Sequence, residues 1–252
     1  MTLTEFGYEF DVLYNNISSG AAPGLNNYEK SLLLTNAQEV LVKAHYTGDI
    51  KALIPSFEET ERRRRELGEL VRTYSTSLSE EKNTIVNFNL ATKKIDSSSL
   101  FFVIPSDVWY ILYEKSIAEP DPCIEGENLI KIIPIKLDYY NTQINNPFRK
   151  PNKDYGWRLD IEQDKTNPVV EIMYLGRPII GYFMRYIHRP QPIILSNLDE
   201  DPELEGLGLT IRGSSGPSEC ELQSLDKEIL QLAVDTAILR YRENSLQNIK
   251  NF

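Results

Sequence analysis

Histidine and cysteine are almost absent: His45, His188, Cys123 and Cys220 are the whole supply in a chain of 252 residues. A site built on three or more histidines is therefore excluded, and no cysteine framework is needed to staple the fold. Long apolar runs are missing as well. Leu100–Ile104 and Val108–Tyr113 fall far short of the roughly 20 residues that cross a bilayer. The opening segment Met1–Asp11 lacks the basic and apolar regions of a signal peptide, so the expectation is no export and two reduced thiols. Positive charge is in short supply: 27 Lys and Arg stand against 37 Asp and Glu, a net charge of −10. That balance argues against a generally basic nucleic-acid surface and against a polybasic membrane anchor.

What is present is the composition of a globular protein, with 41% hydrophobic and 25% charged residues. The length allows one large domain or two small ones, and suffices to bury a core without disulfide or metal. Proline divides the chain, because only Pro23 and Pro55 of its 14 prolines precede Pro105. Proline is expelled from helix interiors, so helices are expected in the first hundred residues. Phe6, Phe10, Leu13 and Ile17 share one helical face. After Ala22-Pro23-Gly24, Asn26 or Asn27 can cap a second helix reaching about His45, with Tyr28, Leu32, Val40, Leu41 and Ala44 on one side and Gly48 at its end. Ser56-Phe57-Glu58-Glu59 is a capping box that opens a third, whose apolar positions are Leu67, Leu70, Val71 and Tyr74.

From Thr84 to Leu195 short β-branched and aromatic runs between turn signals read as strands. The candidates are Thr84–Leu90, Leu100–Ile104, Trp109–Tyr113, Ile130–Ile135, Trp157–Ile161, Val169–Leu175 and Tyr182–Ile187, with a short helix at Asp138–Asn145. Residues 196–221 are acidic and rich in Gly, Pro and Ser, a long loop. A last helix runs from about Ser224 to Asn244. Ile229, Leu230, Ala233, Val234, Ala237, Ile238 and Tyr241 form its stripe. Leu232 and Leu239 fall off that stripe, so they belong either to a broad core face or to a second face used by a partner.

The expected fold class is α+β, with N-terminal helices, a central, mostly antiparallel β region and a C-terminal helix. The expected divisions are a helical region over 1–80, a β-rich body over 81–195, an acidic flexible loop over 196–223 and a helix over 224–252, together one compact unit.

Catalytic signatures are missing. Gly206-Leu207-Gly208 lacks the third glycine of a dinucleotide fingerprint, and there is no Walker A lysine or G-x-S-x-G elbow. His45 suits a helix C-terminus and His188 a strand end, with no oriented partner in the sequence. The acidic run from Asp199 has Leu204 and Thr210 where a calcium loop needs Gly and Glu, so that motif fails. No catalytic residue, cofactor or metal is assigned.

Two groups remain as candidate contact residues. Arg62, Arg63, Arg64 and Arg65 could touch phosphates or an acidic partner. They could equally be a solvated helix face, since consecutive positions fan about 100° apart and nearby glutamates supply i,i+4 pairs. The segment Asn145–Lys153 combines Phe148 with Arg149, Lys150 and Lys153. It reads either as a contact loop or as an ordinary turn with its aromatic folded inward.

Several phrases carry a resemblance. They are Glu9-Phe10-Asp11-Val12-Leu13-Tyr14-Asn15-Asn16-Ile17, then Ala22 through Ser31, Asn145-Asn146-Pro147-Phe148-Arg149, Arg185 through Leu195, and Cys220-Glu221-Leu222. Together and in this order they resemble a virion protein family of crAss-like tailed bacteriophages, best matched by ring proteins or head-to-tail connectors beneath the portal. The resemblance implies a non-enzymatic subunit of a closed homo-oligomeric ring, commonly twelvefold. Such a ring joins the portal to neighbouring tail or ring proteins, in the neck or tail of a virion assembled in the host cytoplasm. It surrounds a channel through which double-stranded DNA passes without sequence-specific binding, and it touches no membrane. Another tail or capsid accessory protein is the alternative, and a cytoplasmic nucleic-acid factor or enzyme a remote one.

Overall fold

A computed structural model describes residues 1–18, 24–48, 61–77, 99–120, 128–152, 155–162, 168–201 and 207–250. The expected strand Thr84–Leu90, the capping box at Ser56–Glu59, Cys123 and Lys153 lie outside the described residues. The protein is α+β, and its chain divides into two compact units, 1–70 with 190–252 and 71–189.

In the first unit, α1 (Leu3–Ser18) and α2 (Asn27–Thr47) both pack on the long C-terminal helix α5 (Asp226–Lys250). Helix α1 buries Phe6, Phe10 and Tyr14, a 4-residue spacing that keeps one face inward. Asn26 caps α2: its side chain accepts from the Glu29 amide while Glu29 reaches back to the Asn26 amide, and Gly48 closes the far end with φ 73°. Helix α5 buries the predicted stripe from Ile229 to Ile238, whereas Leu232 is half-buried and Leu239 exposed.

The inward face of α2 differs from the apolar side expected. Val40 is exposed, while Ser31, Thr35 and Gln38 are buried with Leu34 and Val42. These polar side chains serve a distant segment. The Ser31 hydroxyl accepts from the Leu195 amide at 3.0 Å, and the Thr35 hydroxyl both accepts from the Ile193 amide at 3.1 Å and donates to the Ile193 carbonyl at 3.2 Å. Backbone groups buried without a ladder need such partners. Residues 190–201 and 207–222 form a loop in the sense of having no long helix or strand, yet Ile194, Leu198 and Ile211 pack into a cluster with Tyr28 and Leu32.

The third helix is much shorter than its periodicity predicts. Helix α3 covers only Glu61–Glu66, a 3₁₀ turn takes Leu67–Leu70, and the chain then becomes strand β1 (Val71–Ser77). Leu67 and Leu70 are both buried, and their spacing of three fits a 3₁₀ turn as well as an α-helix. Val71-Arg72-Thr73-Tyr74 is β-branched and aromatic, and pairing with a neighbouring strand decides its state.

The second unit is one seven-stranded sheet. Its other strands are β2 (Leu100–Val103), β3 (Val108–Ala118), β4 (Leu129–Pro134), β5 (Tyr155–Glu162), β6 (Val169–Met173) and β7 (Ile179–His188), in the order β1-β7-β3-β4-β5-β6-β2. Every neighbouring pair is antiparallel except β4 with β5, which is parallel. The helix α4 (Leu137–Gln143) lies in that crossover, since parallel strands cannot be joined by a tight turn.

The sheet curls. Phe102 on β2 stacks on Tyr182 on β7 with ring centroids 5.5 Å apart, although four strands separate them in the order. The inner face is lined by Ile130, Ile132, Val170, Ile172, Met184 and Tyr186. Outside, Trp157, Leu159 and Met173 pack against Tyr140 of α4, the Tyr140 and Trp157 rings meeting edge-on at 6.3 Å. Covered on both faces, β6 is buried along its whole length. Gly156 is required where β5 meets β6, because a Cβ there would sit 2.7 Å from the Met173 carbonyl oxygen.

Candidate assembly surface

The curled sheet encloses an ionic cluster. Arg158 on β5 reaches Glu114 on β3 at 3.1 Å, and the Tyr182 hydroxyl donates to the same carboxylate at 2.8 Å. All three residues are buried. Burial raises the Glu114 carboxyl above its ordinary value against the pull of Arg158, and it pushes the Tyr182 phenol far above its own. The carboxylate has a cation and a phenol, Arg158 also reaches the exposed carboxylate of Asp160 at 3.2 Å, and the phenol does not titrate near neutrality. The cluster ties β5 and β7 to β3.

His45 and His188 are also structural. The His45 Nδ1 lies 2.9 Å from the Leu41 carbonyl and its Nε2 3.4 Å from Glu66, while His188 ends β7 with Nδ1 3.1 Å from the Arg189 carbonyl. The Cys220 thiol is buried and pushed up to about 12 by that burial. No group of three metal-ligating side chains and no helix long and apolar enough to cross a membrane occurs among the described residues.

The arginine run sits on α3. Arg62 pairs with Glu66 at 2.5 Å and with Glu228 at 3.4 Å, and Arg65 pairs with Glu61 at 2.9 Å. Arg64 is exposed, and the Arg63 side chain lies outside the described residues. The run is thus interleaved with carboxylates, and the structure gathers no concentrated cationic patch from Arg62, Arg64 and Arg65.

The loop after α4 is different. Phe148 is 90% exposed, the highest value among the described large apolar side chains, and Arg149 and Lys150 beside it are exposed too. The inward-folded alternative for this aromatic therefore does not describe the structure. The turn is well braced: the Phe148 amide donates to Asn146 Oδ1 at 3.0 Å, and the Arg149 and Lys150 amides donate to the Asn146 carbonyl at 3.1 and 3.0 Å. From β5, the Tyr155 hydroxyl donates to the Phe148 carbonyl at 3.2 Å. These bonds fix the backbone of the turn that carries the exposed ring.

A second exposed apolar pair lies on α1, where Tyr8 is 72% and Val12 41% exposed. Neither is singled out by the helical periodicity, which marks the buried face of the same helix. Their signal was an i,i+4 pair of large apolar residues on the opposite face.

Comparison with known proteins gives these two patches a context. A family model described as phage tail ring protein 3/4 matches residues 1–248. Ring protein 3 of Bacteroides phage crAss001 is 38% identical over 242 residues, covering 95% of this chain and 96% of that protein. Ring protein 4/5 of the same phage is 33% identical over 243 residues, covering 96% and 94%. The matched span includes both compact units, with the packed loop of the first and the Phe148 turn of the second. The chain belongs to the phage tail ring protein 3/4 family, whose members are structural virion proteins and not enzymes.

Proposed function

We propose that this protein assembles into a closed ring in the neck or tail of the virion, twelvefold to match a portal above it. The ring links the portal to neighbouring tail or ring proteins and surrounds the path of double-stranded DNA. The near-complete match to the ring protein family carries this reading.

Physical features support it. A cyclic ring repeats one heterologous interface, which needs two unlike patches on each subunit. The braced Phe148 loop with its cations and the outer face of α1 are unlike patches of that kind. A net charge of −10 suits a conduit, because a lumen that attracted phosphate would slow the passage of DNA.

Quantitative mass spectrometry of purified virions tests the reading. A copy number per virion equal to one ring, or to a whole multiple of it, is expected. Absence from the virion overturns it, and a label seen on the capsid shell by electron microscopy would favour an accessory role there.

A further inference from the structure

We infer that the Phe148 loop of one subunit docks on the outer face of α1 of the next copy of this chain. The inference rests on the ring reading and names the two patches that its interface uses.

The inserting side is a single exposed aromatic on a braced turn. A loop already ordered before contact loses little further freedom on binding, so less of the gain from burying the ring is offset by ordering. Arg149 and Lys150 flank the ring, and residues 145–152 contain no carboxylate.

The receiving side is Glu5, Tyr8, Glu9 and Val12, at positions i, i+3, i+4 and i+7 of α1. Four side chains so spaced form the diamond that accepts one knob from a facing element. Helix α1 carries Glu5 and Glu9 on this face and has no Lys or Arg of its own, while its Asp11 is already paired with Lys30 of α2 at 2.7 Å. An aromatic knob beside two cations therefore meets an apolar pair beside two carboxylates.

The charges also select the geometry. Two copies of the loop would bring cation to cation, and two copies of the α1 face carboxylate to carboxylate. Like-with-like contacts are opposed, and head-to-tail contact is favoured. That is the heterologous arrangement from which rings close.

The test uses the full chain, compared with variants by native mass spectrometry at low ionic strength, where charge contributes most. Oligomerisation is measured alone and with the portal present. Arg149→Glu, Glu9→Lys and Phe148→Ala are each expected to raise the concentration needed for assembly at least tenfold. All three residues are exposed, so folding measured by circular dichroism stays that of the parent. Mixing Arg149→Glu chains with Glu9→Lys chains is expected to restore assembly, because alternating subunits then match at every contact. A parent that assembles together with variants that assemble equally well overturns this interface and leaves the ring. Mixed variants that stay apart overturn it as well. A parent that never assembles, with or without the portal, overturns both.

Discussion

The Tyr74 hydroxyl donates a 3.0 Å hydrogen bond to the Val103 carbonyl, tying the strand at one end of the sheet order to the strand at the other. Register pairing alone does not bring β1 to β2, which are joined to β7 and β6 respectively. The bond marks how far the sheet has curled. Phe102 against Tyr182 and Arg158 against Glu114 are contacts of the same kind, made across the inside of the curl.

Tyr74→Phe removes this bond and keeps the ring, which packs against the inner cluster. The expected cost is about 0.5–1.5 kcal/mol, the net worth of one such bond. Urea unfolding of the full chain measures it. A variant as stable as the parent would show that the curl is held without the seam contact.

Arg158→Met keeps the aliphatic bulk and leaves the Glu114 carboxylate buried without its cation, at an expected cost of about 3–5 kcal/mol near neutral pH. The pH dependence has a definite sign. Burial already holds the Glu114 carboxyl above its ordinary 4.5, and loss of the cation raises it further. A carboxyl raised on folding binds more protons in the folded state, so stability falls as pH climbs from the unfolded value through the folded one. The penalty of the variant relative to the parent is thus smallest below 4.5 and grows toward neutrality. Unfolding midpoints of both proteins across that range check it, and a penalty independent of pH contradicts it.

Thr35→Val is nearly isosteric but strips the Ile193 amide of its buried acceptor. The expected loss is about 1–3 kcal/mol, the cost of an unsatisfied buried donor. Thr35→Ser keeps the hydroxyl and loses one methyl, for about 1 kcal/mol or less. Equal losses from the two variants would mean that packing, not the hydrogen bond, anchors residues 190–195.

Arg212 has φ 53°, in the left-handed region that favours glycine, and it is followed by Gly213 at φ 84°. Its guanidinium pairs with Glu39 and donates to the Pro190 carbonyl at 3.0 Å, which holds the turn in that shape. Both Arg212→Ala and Arg212→Gly lose these contacts, but only alanine retains the backbone penalty of about 1–2 kcal/mol. The glycine variant should therefore melt higher than the alanine variant. The reverse order would show that the turn relaxes once the guanidinium is gone.

Much of this architecture is written in local patterns. The cap at Asn26, one of the two asparagines expected there, the proline-bounded strands and the stripe from Ile229 to Ile238 each follow from short-range physics. What was hidden depends on distant chain. Leu67, Leu70, Val71 and Tyr74 fit a helical period, and only pairing with β7 makes the last two part of a strand. Ser31 and Thr35 look like a solvated face until Leu195 and Ile193 arrive to use them. The candidate surface was legible in part. Phe148, Arg149 and Lys150 stood out by composition, but the exposure of the ring, on a backbone braced by Asn146 and Tyr155, is seen only in the structure. Tyr8 and Val12 were obscured because Phe6 and Phe10 already accounted for the helix.

The most direct test of the central claim is the mass of this protein in solution, read by native mass spectrometry alone and with the portal. A discrete closed oligomer, twelvefold in at least one of the two conditions, is what the account predicts. A 29.0 kDa monomer in both conditions would contradict it.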